Sequence, residues 1–231
     1  MNKLLYQGHG SVRIITAENK VIYLDPFAGE GYDKPADLIL ITHSHFDHTQ
    51  IQKIAVKNPD CRIITQNEAL KDGKHQSFDL GFVKIEAVEA GYNKNHSANE
   101  CVGYILTFTS GTTVYFSGDT STTPQMKELA ARELDFAFFC CDGVYNMDIP
   151  EAVKCADMVG AKHSIPYHSI ASSGEVAFSR ERAETFNAKN KLIMEPGEDG
   201  AISPRPKSWS VATPAMPPAI TAIRSTGFMR T

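Results

Sequence analysis

The sequence predicts an α/β protein in which helices pack outside stacked sheets. Two observations carry that reading. Short apolar runs of strand length alternate with single helical patterns in both halves of the chain, and several of these runs break directly into polar turns.

Residues 4–6, 12–16, 21–25 and 38–42 read as strands, the early ones separated by tight polar or glycine breaks, as in a meander. Residues 50–57 carry Ile51, Ile54 and Ala55 at helical spacing, and Asn58-Pro59 should end that helix. A buried strand at 62–65 and a short polar helix at 68–71 follow. Strands resume at 82–89, 103–109 and 113–117, with Ser110-Gly111-Thr112 as the hairpin turn joining the last two. Pro124 marks the start of a helix over 125–132. Residues 136–141 show no alternation, so this strand should be buried on both faces. Pro150 opens a helix through Val159, residues 163–167 form a short strand, 175–189 have the pattern of a charged amphipathic helix, and regular pattern ends at 192–194. This divides the chain into a domain over 1–198 and a Pro/Ser/Thr-rich tail over 199–231, where Pro204, Pro206, Pro214, Pro217 and Pro218 crowd together. The tail reads as an extended arm with little helix or strand.

A chain of 231 residues, 42% hydrophobic and 22% charged, can bury a substantial core. Its net charge of −4, without a dense Lys/Arg cluster, argues against nucleic acid as the main partner. No apolar run approaches the roughly 20 residues of a membrane helix, and the N-terminus turns polar too early for a signal peptide. Five cysteines, odd in number and without CxxC spacing, fit a reducing cytoplasm. Cys140 and Cys141 close an apolar stretch and read as core thiols.

Histidine is scarce, eight in the chain, yet three fall in Thr42-His43-Ser44-His45-Phe46-Asp47-His48, straight after the apolar Asp37-Leu38-Ile39-Leu40-Ile41. Imidazole and carboxylate are the ligands that borderline divalent metals prefer. On a helix, positions 43 and 45 would lie about 200° apart and could not share an ion. In an extended segment 43, 45 and 47 point to one side, and a turn after Asp47 can return His48 to the same pocket. The plain alternative is a polar loop with solvated histidines; this many ligands at this spacing behind a buried strand favours metal. Three later residues share a placement just past a strand: His96 in the loop 91–97, Asp119 in Ser117-Gly118-Asp119-Thr120, and His168 after Ile165-Pro166-Tyr167. Alone, each has an ordinary reading as an exposed loop histidine or a turn-capping aspartate. Their common position strengthens all three.

HxHxDH at 43–48, a loop histidine at 96, SGDT at 117–120 and PYH at 166–168 occur here in one order. In that order the chain, from about Leu4 to Glu198, resembles the metallo-β-lactamase superfamily of metal-dependent hydrolases. Gly8-His9-Gly10-Ser11, Leu24-Asp25-Pro26-Phe27 and Gly143-Val144-Tyr145-Asn146-Met147 look like the branch of small hydrolases similar to ascorbate-6-phosphate lactonase. The resemblance implies an αββα four-layer sandwich, two mixed β-sheets flanked by helices, with two metal ions in a groove at one edge of the sheets. It implies that His43, His45 and His96 hold the first ion, that Asp47, His48 and His168 hold the second, and that Asp119 bridges both. Asp47, Asp119 and His168 are the candidate catalytic residues. The implied cofactor is a pair of divalent cations, Zn2+ by ligand chemistry, with Mn2+ or Fe accepted by the same donors. Two cations sharing a water lower its pKa, making a bridging hydroxide the expected nucleophile.

His75 and His163 match no ligand position; His75 is expected at the surface and His163 at the start of a strand. The late acidic position is Asp119 rather than a cysteine, which disfavours antibiotic hydrolysis and leaves Cys141 away from metal. Asp25 either accepts the second ring N–H of a ligating histidine or serves as a turn residue before Pro26. His9 is a candidate for the groove, because branch members place a similar GH turn near the metals. Tyr92 and Tyr145 are candidates for substrate contact, with ordinary packing as the equal alternative.

The expected function is a cytoplasmic dinuclear metal-dependent hydrolase acting on a small polar ester, lactone or phosphoester metabolite. The alternatives are a phosphodiesterase similar to ribonuclease Z, disfavoured by the acidic balance and the lack of a basic arm for transfer RNA, a glyoxalase-type thioester hydrolase, and a non-catalytic metal-binding scaffold. The expected partner is a small-molecule substrate, without nucleic acid or membrane; a homo-oligomer is compatible with the sequence.

Overall fold

The computed structural model describes residues 1–171 and 176–203. The chain begins with strands β1 (Asn2–Gly8), β2 (Ser11–Ile15), β3 (Val21–Leu24), β4 (Ala36–Leu40) and β5 (Lys57–Ile64). Helix α1 (Gln66–Ala69) and a small ribbon of β6 (Leu70–Lys71) and β7 (Lys74–His75) lead into β8 (Ser77–Asp79), β9 (Val83–Glu89), β10 (Val102–Phe108) and β11 (Thr113–Phe116). There follow α2 (Met126–Leu129), β12 (Phe136–Cys140), α3 (Ile149–Val159), β13 (His163–Tyr167), α4 (Arg180–Thr185) and β14 (Asp199–Ile202). Two six-stranded sheets result, ordered β14-β1-β2-β3-β4-β5 and β13-β12-β11-β10-β9-β8.

Both sheets are mixed, and in the same way. The neighbours from β14 to β3, and from β8 to β11, pair antiparallel, whereas β3-β4-β5 and β11-β12-β13 pair parallel. Direction then fixes where chemistry can gather. In the first sheet β1, β3 and β4 run one way; in the second β9, β11, β12 and β13 do. Their C-terminal ends release His9, Asp25, His43 to His48, His96, Asp119, Asp142 and His168. Backbone bonds stitch the sheets together there: Val102 N–H donates to Thr42 O at 2.9 Å, and His168 N–H to His9 O at 2.9 Å. Open sheets bind ligands outside the carboxyl ends of parallel strands for the same topological reason.

Alternation places Ile22, Leu24, Leu38 and Leu40 in the main core between the sheets, with Tyr104, Phe116 and Phe138 opposite. The intervening Val21, Tyr23, Ile39 and Ile41 face a smaller core on the outer side of the first sheet, closed by Tyr32 and Ile54. All five residues of β12 are buried, as the missing alternation requires. Helix α3 starts on Asp148, whose side chain accepts Glu151 N–H, with Pro150 in its first turn; its buried Ala152, Cys155, Ala156 and Val159 pack on the second sheet.

Several local expectations are corrected. Residues 50–57 form only a 3-10 turn, Ile51–Lys53, and Lys57 opens β5. One turn suffices to seat Ile54 in the outer core, and Pro59 is tolerated because β5 is an edge strand. The short helix lies at Gln66–Ala69, not 68–71, because Leu70 and Lys71 are taken into β6. In 125–132 the α-helix lasts only four residues before a 3-10 turn, Ala130–Arg132. Of the helix expected over 175–189, the described residues 176–189 form only Arg180–Thr185, and the chain then turns to stack buried Phe186 on Phe139, ring centroids 6.4 Å apart. The boundary at 198/199 cuts through structure: Asp199–Ile202 pairs with β1 as an edge strand and buries Ile202. Residues 204–231 of the expected tail lie outside the described residues. His163 opens β13, and His75 is half-buried in β7. Among the described residues, no helix is long and apolar enough to cross a membrane.

Candidate metal centre

The centre is built on Asp25, fully buried at the end of β3. Its Oδ1 accepts Thr42 N–H at 2.8 Å, and its Oδ2 accepts the Thr42 hydroxyl at 2.6 Å and His48 Nδ1–H at 2.9 Å. Because the Thr42 hydroxyl proton is spent on Asp25, its oxygen is left to accept Nδ1–H of His43 at 3.0 Å. Both histidines are thereby fixed in the tautomer that presents an Nε2 lone pair to the centre. Burial drives the Asp25 carboxyl up to about 7, against the lowering effect of His43 and Thr42. Burial also pushes His43 down to about 3 and His48 to about 4, so both rings are neutral.

His9, Asp25 and His168 take left-handed backbone conformations, with φ of 49°, 42° and 46°. For residues with a Cβ this costs about 1–3 kcal/mol each and persists only where neighbours enforce it. The Tyr6 hydroxyl and His168 N–H both donate to His9 O, at 3.0 and 2.9 Å. The payoff is close packing: the His9 and His168 rings lie 3.7 Å apart between centroids. Burial and the neighbouring His168 charge lower His9 to about 4, so a neutral ring donates Nε2–H to Asp47 Oδ2 at 3.1 Å. Burial would raise Asp47, but the His9 hydrogen bond outweighs it and holds the carboxyl well below the usual range.

Asp119, delivered by β11, sits among the rings. Its Oδ2 is 3.4 Å from His96 Nε2 and 3.3 Å from His168 Nε2, and its Oδ1 is 3.7 Å from His48 Nε2. Burial alone would raise Asp119; the charged His168 ring beside it overcomes this and holds the group well below the usual carboxylate range. For His168, burial is opposed by Asp119, Asp142 and Asp47, and the ring rises to about 9. Asn146 donates both amide hydrogens, to Asp119 Oδ2 at 2.8 Å and Asp142 Oδ2 at 2.7 Å, and so bridges two buried carboxylates. Asp142 Oδ1 in turn accepts Val144 N–H at 2.8 Å and Tyr145 N–H at 2.7 Å, fixing that loop.

The donor set fits cations. Nε2 of His43, Nε2 of His48 and Oδ1 of Asp119 are buried without a hydrogen-bond partner, a costly state that a positive ion relieves. Ligand-capable atoms of His43, His45 and His96 lie within 4.8 Å of one another, as do those of His43, His48 and Asp119, and those of His9, Asp47, His48 and His168. All seven residues singled out as ligands in the sequence thus meet, and His9 joins them. Cys141 stays apart, its thiol directed to Tyr167 O at 3.5 Å.

A cavity of about 310 Å³ opens over the cluster, walled by Phe46, Asn95, Tyr145 and Ala171. Tyr145 is therefore at the groove, whereas Tyr92, exposed at the surface, is not among its lining residues. Asp142, Asn146, Thr42 and Phe46 escaped the sequence reading. Asp142 follows β12 as Asp119 follows β11, a signal that was present; Asn146 stands in the Gly143-Val144-Tyr145-Asn146-Met147 motif, but a loop amide there points to no role of its own.

The description "Beta-lactamase superfamily domain" matches residues 3–168. A UPF0173 metal-dependent hydrolase of Alkaliphilus metalliredigens is 30% identical over 197 residues, 72% of this chain and 84% of that protein. The crystal structure of a protein described as a metal-dependent hydrolase from Parabacteroides distasonis superposes with a TM-score of 0.67 at 31% identity, over 84% of this chain and 92% of that one. A metallo hydrolase from Ignicoccus hospitalis, Igni18, shares the fold at a TM-score of 0.62 and 20% identity, over 86% of this chain and 97% of its own. With its mixed sheets, the edge cluster and these relatives, the chain belongs to the metal-dependent hydrolases of the metallo-β-lactamase superfamily.

Proposed function

We propose that this hydrolase is dinuclear and cleaves a small polar ester, lactone or phosphoester. The observation that carries the reading is the position of Asp119, whose two carboxylate oxygens face different histidines, with unpartnered nitrogens of His43 and His48 beside it. His43, His45 and His96 would hold one cation, Asp47, His48 and His168 the other, and Asp119 both. Bound there, such cations lower the pKa of water and polarise the scissile bond. Zinc suits these donors best; manganese and iron are accepted.

The chain's own groups then have distinct tasks. Asp25 and Thr42 hold the His48 and His43 rings in register. Asn146 pins Asp119. Asp47 faces the cavity with one oxygen held by His9, which keeps the carboxylate ionised and aimed at the cation it would hold. Five unpaired thiols support a reducing cytoplasm as the location, and the net charge of −4 supports a small molecule rather than nucleic acid.

Elemental analysis of protein purified without added metal tests the reading, with close to two ions per chain expected. His45 is exposed, so His45→Ala should keep the fold by circular dichroism. It should lose bound metal and lower turnover by about a hundredfold or more. Full turnover in that variant, or a chain carrying no metal, contradicts the proposal.

A further inference from the structure

Resting on that reading, we propose that the substrate carries, away from the reacting bond, a flat apolar group that lies between Phe46 and Tyr145, and that a charged phosphate at that end is disfavoured. The floor of the cavity is polar and two of its four walls are aromatic: Phe46 and Tyr145 line it beside Asn95 and Ala171, with 61% and 50% of their surface open. Large apolar side chains left this open, beside a site of convergent polar groups, mark where a ligand supplies the missing apolar cover.

Neither ring is free to swing away at its base. Phe46 packs edge-on against Phe27, centroids 5.7 Å apart. Tyr145 is carried on the loop that Asp142 ties down through the Val144 and Tyr145 N–H groups, and its carbonyl accepts Asn95 Nδ2–H at 3.1 Å. The walls are thus positioned before a ligand arrives, which reduces the ordering cost of binding.

Charge points the same way. Among the described residues lining the cavity there is no Lys or Arg. Arg182, close by, donates to the carbonyls of Ser169, Cys141 and Asp142. Lys53 is turned to the carbonyls of Phe27 and Gly29. A phosphate carried at the end of a substrate away from the reacting bond would lose hydration against ring faces, which are electronegative, with no Lys or Arg among the described lining residues to replace it. A phenyl or similar flat group would gain stacking at the same place.

The test holds the reacting bond constant and varies the distant group. Zinc-loaded protein is assayed with 2-phenylethyl acetate and with 2-acetoxyethyl phosphate. The phenyl ester should show kcat/KM higher by about tenfold or more, carried mainly by KM. In Phe46→Ala and Tyr145→Ala its KM should rise by about threefold to tenfold, collapsing the preference. In parallel, N-(2-phenylethyl)acetamide, an amide with the same ring, is followed by saturation-transfer NMR, with transfer to the ring protons expected in the wild type and lost in the double variant. If no ester turns over, the hydrolytic reading fails while ring contact in the amide experiment still supports aromatic walls. Equal or better use of the phosphate ester, unchanged KM in both variants, or no transfer to the amide ring overturns the inference.

Discussion

Asp25 sets the orientation of the centre although it belongs to none of the three ligand clusters. One carboxylate satisfies Thr42 twice and His48 once, and through Thr42 it fixes His43 as well. Asp25→Ala leaves these donors buried and unpaired, so the metal-free protein should lose about 1–3 kcal/mol in urea unfolding. Chelator competition should show metal affinity lower by about 10–100-fold. Unaltered affinity would reduce Asp25 to a turn residue before Pro26. The candidate ligands were legible because HxHxDH is contiguous and lies behind an apolar run, and because His96, Asp119 and His168 each follow a strand. Asn146 and Thr42 were not, because an amide or hydroxyl gains its role only from what the fold brings beside it, here Asp119 and Asp25.

At the scale of elements, the site depends on where strands stop and how tightly the following turns pass one another. Gly10, in the turn between β1 and β2, shows this: a Cβ there would stand 2.9 Å from His48 Cε1 and 3.2 Å from its Nδ1. Gly10→Ala should therefore push the His48 ring from Asp25 and lower metal affinity by about tenfold. The thermal midpoint of the metal-free protein should move by no more than about 4 °C, because the fold around the turn can yield. An unchanged affinity would mean that His48 is not held where it is needed. Strands were readable from alternation and from the unalternated run of β12, and α3 from Pro150. Short helices were misjudged where a single turn already buried what had to be buried, as Ile54 does after Ile51–Lys53. β14 was missed because its pairing partner, β1, lies at the other end of the chain.

For the whole molecule, bringing many titratable groups to one edge makes the metal-free protein sensitive to pH. His9, His43 and His48 are lowered from 6.5 to between about 3 and 4, so the stability they contribute is present above 6.5 and lost as pH falls through those values. His168 is raised to about 9, so its contribution is full below 6.5 and lost as pH rises through 9. Asp25, raised to about 7, opposes the acid loss in part, since its contribution fades from 3.8 upward. Urea midpoints of chelated protein should accordingly fall from pH 6.5 towards 4, and again towards 9. Saturating zinc at about a hundred times its Kd should add about 2.7 kcal/mol near neutrality. A flat profile without metal would count against the buried neutral histidines. The central claim, that two cations share Asp119, is met most directly by anomalous scattering at the zinc edge from crystals of the zinc-loaded protein. Two peaks are expected, one against His43, His45 and His96 and the other against Asp47, His48 and His168, with the Asp119 carboxylate between them. A single peak, or peaks away from Asp119, would contradict it.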